Sequence, residues 1–426
     1  MLIKNNMRIT KKGEKITISV VGFGNRSKAY IDVLEKYYKD KYVINAIFEP
    51  NKEKQQQLKQ EYNLKGEDIY NGYEDFIKLK RLSDVVIIGT LDDQHYIPVM
   101  HAIKEGYDII LEKPIAMTVE EIVDISELAK KQKNQLIAVC HVLRHSPLFT
   151  KIKELLDEKV IGNVVNIQHN ENVGYYHFAH SYVRGNWRNT DISAPFVVAK
   201  SCHDFDILLY LLNKHSKYLS SMGSLSFFKH ENYDEKIMAP KCVDCSIKET
   251  CPYSALKIYG SGKIRSVVFD DSSAEKLAKD LSKSNYGRCV FLSDNNVADH
   301  QVSIIEFEDG VTATFNLSAF TNKIHRSIKI MGEYGEIRAT ENGKIIEVTK
   351  FGEEPYLVKV DEVKGGHGGS DIRFMQNFME SYLHNKPFNS TLEMSIESHI
   401  MAFAAEESRL KNGKLIKISD YYKKYI

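Results

Sequence analysis

ITISVVGFGNRS, residues 16–27, sets the fold class of this chain. Five of its first six residues are apolar or β-branched, which is typical of a buried strand, and a glycine pair follows at once. A helix-like segment from Ser27 to Tyr38 comes next. Glycines between a strand and a helix let the backbone approach a pyrophosphate, and the helix N-terminus offers unpaired amides to its charge. We therefore expect these residues at a dinucleotide: Gly22, Phe23, Gly24, Asn25 and Arg26.

The same strand-to-helix alternation continues through the first third of the chain. The predicted strands are Tyr42 to Phe48, Asp84 to Gly89, Tyr107 to Leu111 and Gln135 to Cys140. Thr118 and Glu121 have the spacing of a capping box and predict a helix start. Repeated alternation of this kind indicates a parallel sheet. A turn between strand and helix that binds no ligand remains an alternative for residues 22–27.

The pattern changes after about residue 145, where strands follow one another directly. Val302 to Glu308 and Val311 to Ser318 flank Asp309-Gly310, which is hairpin chemistry. Helices are expected from Phe205 to Leu212 and at about 395–410. The prediction is an α/β protein with an N-terminal Rossmann domain, 14–144, and a C-terminal α/β domain, 145–426, built on a large open, mostly antiparallel sheet.

Charge and composition narrow the classes of partner. The chain has 426 residues, 58 Lys plus Arg and 57 Asp plus Glu, so its formal charge is +1. Such a balance argues against a nucleic-acid partner. We find no secretory signal and no run of the roughly 18 apolar residues that a membrane span needs. Six cysteines in so long a chain do not indicate a disulfide scaffold. We therefore expect a cytoplasmic location.

Glu49 follows the second predicted strand, where a carboxylate can accept hydrogen bonds from the adenosine ribose and would repel a 2′-phosphate. This favours NAD over NADP. Arg26 is a complication, because a guanidinium beside that ribose could stack on adenine or bind a phosphate. A solvated strand end is the alternative role for Glu49.

Glu112-Lys113-Pro114 follows the strand that ends at Leu111, at the carboxyl edge of the sheet where ligands of open α/β sheets bind. Pro114 keeps Lys113 extended. Lys113 could then act as a proton acceptor near a nicotinamide ring. A solvated lysine at a strand end is the alternative.

An aromatic and basic segment, 175–188, is too irregular for a helix stripe and is interpreted as a binding loop. Aromatic faces pack on sugar rings and polar groups orient them, so Tyr182, Arg184 and Trp187 are candidate substrate contacts. A loop that only packs two domains together is the alternative.

Three thiols lie within ten residues: Cys242, Cys245 and Cys251. They could hold a structural zinc ion, with Cys289 or a histidine as fourth ligand. Unligated thiols are the competing interpretation.

The sequence as a whole resembles the Gfo/Idh/MocA oxidoreductases. The motifs that carry the resemblance are the glycine turn 21–26, Gly89 to His95, Glu112-Lys113-Pro114, Leu143 to Pro147, Cys202 to Asp206, Met331-Gly332 and Gly335-Glu336. The resemblance implies the Rossmann domain and the large second sheet. It also implies cofactor contacts at Thr90, Leu91, Asp92, His95, Glu112 and Lys113, and catalytic roles for Lys113 and His203.

One departure concerns the position four residues before His203. Many sugar and cyclitol dehydrogenases of this family have an aspartate there, whereas this chain has Ala199 followed by Lys200. Lys200 and His203 could share a helix face and contact an anionic or polyhydroxylated ligand.

The leading hypothesis is hydride transfer between NAD and a secondary hydroxyl of a sugar, glycoside or cyclitol. The alternative is an NAD-dependent glycoside hydrolase that uses transient oxidation, elimination and hydride return. A non-catalytic NAD-dependent sensor is a third interpretation. The resemblance further implies a homo-oligomer, either a dimer or a tetramer.

Overall fold

The computed structural model describes residues 15–132, 135–262, 264, 269, 273–341, 343–361 and 365–426. Its first sheet has six parallel strands in the order β3-β2-β1-β4-β5-β6. The strands are β1 (Ile16–Val21), β2 (Tyr42–Phe48), β3 (Ile69–Tyr70), β4 (Val85–Ile88), β5 (Asp108–Leu111) and β6 (Ile137–Val139). The predicted parallel sheet is confirmed. Sequence analysis missed β3, because two residues at a sheet edge carry no periodic signal.

Helices connect these strands and cover the sheet. They are α1 (Asn25–Tyr37), α2 (Lys52–Glu61), α3 (Tyr73–Phe76), α4 (Tyr96–Glu105) and α5 (Val119–Lys131). The start of α5 is set as predicted, since the Thr118 hydroxyl accepts a hydrogen bond from the amide of Glu121. The Glu121 carboxylate accepts from the amide of Met117, one residue before the cap. All four β4 side chains and all four β5 side chains are buried, as expected for strands covered on both faces.

The second sheet has nine strands in the order β14-β13-β12-β11-β7-β10-β9-β8-β15. They are β7 (Val164–Asn172), β8 (Ser216–Ser224), β9 (His300–Phe307), β10 (Thr312–Ser318), β11 (His325–Gly332), β12 (Gly335–Thr340), β13 (Ile345–Lys350), β14 (Tyr356–Lys359) and β15 (Ile416–Lys417). The pair β7–β10 is parallel and the other described pairs are antiparallel. The predicted mostly antiparallel sheet and its β9–β10 hairpin are therefore confirmed.

The second half also contains eight α-helices among the described residues: α6 (Pro147–Asp157), α7 (Tyr175–Phe178), α8 (Phe196–Leu212), α9 (Ala255–Gly260), α10 (Ala274–Lys283), α11 (Ser370–His384), α12 (Leu392–Leu410) and α13 (Ile418–Lys423). The two predicted helices lie inside α8 and α12. Helix α8 is buried along most of its length, which is why its sequence is apolar almost all round.

The segment 175–188 corrects one prediction. It is not an irregular loop up to residue 184: α7 runs directly into a π-helix, Ala179–Arg184, and all six residues of that π-helix are buried. Wide helical turns of this type lack the regular 3.6-residue periodicity. The pattern therefore could not indicate a helix.

Helix α11 lies far along the chain but packs on the first sheet. Phe374, Met375 and Phe378 share one apolar core with Ile18 of β1 and Ile31 of α1. The predicted domain boundaries stay predictions, and residue 14, where the first was placed, lies outside the described residues. Within the described chain no helix is both long enough and apolar enough to span a bilayer.

Candidate active site at the edge of the parallel sheet

The glycine turn forms a cradle that only glycine fits at its first position. Gly22 has φ +79°, and a Cβ there would lie 2.8 Å from the backbone nitrogen of Thr90. Gly24 caps the N-terminus of α1, a helix of 13 residues. Because Gly22 and Gly24 carry no side chain, a pyrophosphate can lie against the α1 amides. The turn therefore fits the dinucleotide that the sequence predicts here.

Ser27 replaces the third glycine of the usual fingerprint, and Gly89 compensates for it. The Ser27 hydroxyl donates a hydrogen bond to the Gly22 carbonyl oxygen at 2.7 Å. A Cβ at Gly89 would overlap the same hydroxyl. Gly89, directly after β4, therefore leaves the space in which Ser27 of α1 can approach the sheet closely.

Glu49 lies just beyond β2 and is 7 % exposed. Its carboxylate accepts from the amide of Asn51 at 3.1 Å and forms an ion pair with Lys54 at 3.2 Å. The predicted ribose contact therefore lies at the expected strand end, and Lys54 is a cation that sequence analysis did not single out.

The loop after β4 is fastened to the Glu-Lys-Pro turn by His95. One ring nitrogen of His95 lies 2.7 Å from the Pro114 carbonyl oxygen and the other lies 3.3 Å from that of Thr90. The Thr90 hydroxyl donates to the Gln94 carbonyl oxygen. Leu91 is exposed at the tip of the loop, whereas Asp92 is buried.

Glu112 and Arg26 form a partly buried ion pair that joins the glycine turn to the Glu-Lys-Pro turn. Arg26 Nε donates to Glu112 at 2.8 Å, and Tyr30 donates to the same carboxylate. Burial by itself would raise the pKa of Glu112, but Arg26 and Tyr30 hold it below its ordinary value. Arg26 also donates to both oxygens of Asp371, at 3.0 and 2.8 Å. Its guanidinium is thus already held by two carboxylates.

Lys113 bonds the backbone of α8 one helical turn before His203. The Lys113 ammonium crosses from the first sheet and donates to the Ala199 carbonyl oxygen at 2.6 Å. Residue 203 lies one helical turn beyond residue 199. His203 is 6 % exposed and its ring packs edge-on to that of His141 at 5.4 Å.

Two further histidines lie behind this pair, and sequence analysis missed both. His399 of α12 accepts a hydrogen bond from the amide of Ile115 at 3.1 Å and donates to the Ser395 carbonyl oxygen. Burial, followed by repulsion from His141, lowers the pKa of His399 to about 3. Burial and the charges of Arg144 and Lys113 place the pKa of His141 well below its usual range. Both rings are therefore neutral near pH 7.

Three candidate substrate contacts have neighbours in other elements. Tyr182 packs against Phe196, and Trp187 lies half-buried beside Asp92. Lys200 faces β7, where its ammonium lies 3.5 Å from the buried carboxylate of Glu171. Its charge is therefore shared with a neighbouring acid.

Arg184 corrects the prediction of a substrate contact. It is 2 % exposed, and its guanidinium donates to the carbonyl oxygens of Arg288 and Tyr253, each at 2.7 Å. These bonds hold the guanidinium against the backbone of residues 253 and 288 and join both residues to the π-helix.

The predicted zinc site also needs correction. Cys242, Cys245, Cys251 and Cys289 line one small cavity together with Arg184. An Arg184 nitrogen lies 3.5 Å from Cys242 Sγ, so a cation already contacts the sulfur that a metal would require. Throughout the described parts of the chain, no group of three or more His, Cys, Asp or Glu side chains is arranged to hold a metal ion.

Comparison with known proteins assigns the class. Residues 16–141 match the NAD-binding Rossmann-fold model of an oxidoreductase family, and residues 153–417 match that family's C-terminal α/β domain. The protein is therefore a two-domain, NAD-binding oxidoreductase by fold. The chain belongs to the Gfo/Idh/MocA family.

Individual relatives agree with this assignment. The chain is 24 % identical over 318 residues to YteT of Bacillus subtilis (strain 168), which its name places among the oxidoreductases; the match covers 71 % of this chain and 74 % of YteT. Over 93 residues it is 29 % identical to an inositol 2-dehydrogenase/D-chiro-inositol 3-dehydrogenase of Lactiplantibacillus plantarum, covering 22 % and 26 %. An inositol dehydrogenase homologue of Azotobacter vinelandii, solved with NAD⁺, superposes with TM-score 0.69 at 13 % identity, covering 98 % and 100 %.

Proposed function

We propose that this protein transfers a hydride between NAD and a secondary hydroxyl of a sugar, glycoside or cyclitol. The observation that carries the proposal is the hydrogen bond from Lys113 to α8 one turn before His203, on a Glu-Lys-Pro turn that the Arg26–Glu112 bond joins to the glycine turn. The inositol dehydrogenase among the relatives supports the substrate class. The position of the Glu49 carboxylate directly after β2 supports NAD over NADP.

The two candidate catalytic residues take different roles. A lysine ammonium carries three donors, and Ala199 uses one of them, so Lys113 can donate to the substrate hydroxyl oxygen and orient it. His203 is then the residue that accepts the hydroxyl proton. Bound NAD would supply the hydride acceptor. The burial of Asp92, Glu112 and His203 excludes bulk water from the proton acceptor's surroundings.

The test begins with the nucleotide that co-purifies, identified by mass spectrometry. The protein is then incubated with NAD⁺ or NADP⁺ and a panel of sugars, glycosides and cyclitols while NADH or NADPH is measured. We expect turnover with NAD⁺. The variant His203→Asn should lose about 10²- to 10⁴-fold in kcat, the usual contribution of a positioned acid or base. Lys113→Met should lose about 10²- to 10³-fold, the usual effect of removing one positioned donor. Lys130→Met, on the exposed surface of α5, is the matched control and should leave kcat unchanged.

The same panel addresses the other two functions. Release of an aglycone from nitrophenyl glycosides without net NADH would replace the dehydrogenase with the glycoside hydrolase, which none of the described contacts favours. Ligand binding without turnover, undiminished in Lys113→Ala, would identify a sensor.

We also propose that the protein forms homo-oligomers through the open face of the second sheet. On β9 and β8 the exposed side chains of Val302, Ile304 and Met222 lie next to one another, since Met222 pairs with Val302. Such an apolar patch is suited to burial against a second copy. Sedimentation equilibrium tests this: a dimer or tetramer is expected, and Ile304→Asp should shift it toward monomer.

A further inference from the structure

One contact links the loop after β4 to the second half of the chain. The indole nitrogen of Trp187 donates to both carboxylate oxygens of Asp92, at 3.2 and 3.1 Å. Asp92 lies on the loop after β4, and Trp187 lies just beyond the π-helix of the second half. The donor and the acceptor therefore come from the two halves of the chain.

Asp92 holds the other end of the same segment as well. Besides Trp187, its carboxylate accepts a hydrogen bond from the backbone of Ala194, seven residues further on. A single carboxylate, 6 % exposed, thus fixes both ends of residues 187–194. Hydrogen bonds to a charged acceptor are stronger than neutral ones, so the segment is fastened where it meets the nucleotide-binding loop.

Burying the Asp92 carboxylate costs free energy. Burial raises its pKa above the ordinary value, while the nearby charges of His95 and Lys113 and the bond from Trp187 act in the opposite direction. A carboxyl that served only to fill space would be replaced by an apolar side chain at less cost. Its partners therefore define its role.

We propose that Asp92 is a positioning residue that clasps Trp187 and residues 187–194 to the loop after β4. Trp187, a candidate substrate contact, then moves as one unit with the loop whose residues are expected at the cofactor. The part that concerns cofactor and substrate rests on the proposed function. The clasp itself is a property of the protein alone.

The chain contains one tryptophan, so the intrinsic emission at tryptophan excitation reports on the clasp directly. In Asp92→Ala we expect emission at longer wavelength and stronger quenching by acrylamide. Losing hydrogen bonds to a charged acceptor should lower the equilibrium constant for holding Trp187 in the clasp about tenfold or more. Asp92→Asn keeps one amide oxygen as acceptor and should show a smaller change in the same direction. Asp93→Ala removes the neighbouring, exposed carboxylate and should leave the emission unchanged.

Hydrogen exchange provides a second measurement on the same variants. Amides of residues 187–194 should exchange faster in Asp92→Ala, and those of α6 should not change. Emission, quenching and exchange that match the wild type in both Asp92 variants would overturn the clasp. If Asp92→Ala does not fold, Asp92→Asn alone decides by the same criteria.

Added NADH separates this proposal from the proposed function. In the wild type, excitation of Trp187 should give NADH emission by energy transfer, and Asp92→Ala should lower its efficiency at saturating NADH. If directly excited NADH shows no binding to the wild type, the proposed function fails, while the measurements without nucleotide still decide whether the clasp exists.

Discussion

Gly22 and Gly310 have nearly the same backbone conformation in very different surroundings. Their φ angles are +79° and +73°, a region that L side chains rarely adopt. A Cβ at Gly22 would meet the backbone of Thr90, whereas one at Gly310 would meet nothing within 4 Å. The pair therefore separates backbone strain from loss of the nucleotide cradle.

Gly22→Ala should abolish NADH binding, because the added methyl pushes Thr90 away and fills the space for the pyrophosphate. Gly310→Ala should lose only about 1 kcal/mol of unfolding free energy from strain. Fluorescence titration with NADH and urea unfolding of both variants check these outcomes. Equal nucleotide affinity in the two variants would show that the cradle is not the binding site.

Helix α8 is joined to the second sheet by buried charges rather than by apolar packing alone. Asp204 of α8 accepts hydrogen bonds from His169 of β7 and Arg326 of β11, both at 2.8 Å. Burial alone would raise the pKa of Asp204, but Arg326 and His169 lower it to about 2. The helix that carries His203 is thus held in register against two strands.

Asp204→Asn should destabilise the protein by about 2–3 kcal/mol at pH 7, because Arg326 would lose one of its three carboxylate partners. The folded pKa lies below the unfolded value of about 3.9, so this stabilisation is complete above about pH 4 and is lost as pH falls toward 2. Urea unfolding at several pH values should show the gap to the wild type narrowing over that range.

Asp309→Asn is the matched control, since Asp309 pairs with Lys214 on the surface. Its stability should stay close to that of the wild type at every pH. A constant gap for Asp204→Asn from pH 7 to pH 3 would contradict the ionic origin of the effect.

At the scale of the whole molecule, Arg26 joins parts of the chain that are 345 residues apart. It bonds Glu112 at the edge of the first sheet and Asp371 at the start of α11. Helix α11 also contributes to the core around β1 and α1. The late helix is therefore part of the nucleotide-binding half in space.

Asp371→Asn should loosen α11, because Arg26 would lose a charged acceptor worth about 1.5–3 kcal/mol. Hydrogen exchange should become faster for residues 370–384 and stay unchanged in α12. Lys386→Met removes the exposed ion pair with Glu380 at the other end of α11 and serves as the control. Faster exchange in the control alone would place the anchor of α11 elsewhere.

Local patterns in the sequence determined the parallel sheet, the glycine turn, the β9–β10 hairpin and the position of Lys113 at a strand end. These features depend on residues close together in the chain, whose periodicity and turn chemistry are readable. Only the tertiary structure decided that Asp371 holds Arg26, that Asp92 holds Trp187, and that Arg184 is buried among cysteines rather than facing substrate. Contacts between distant segments depend on how the layers pack, and no spacing in the chain records that.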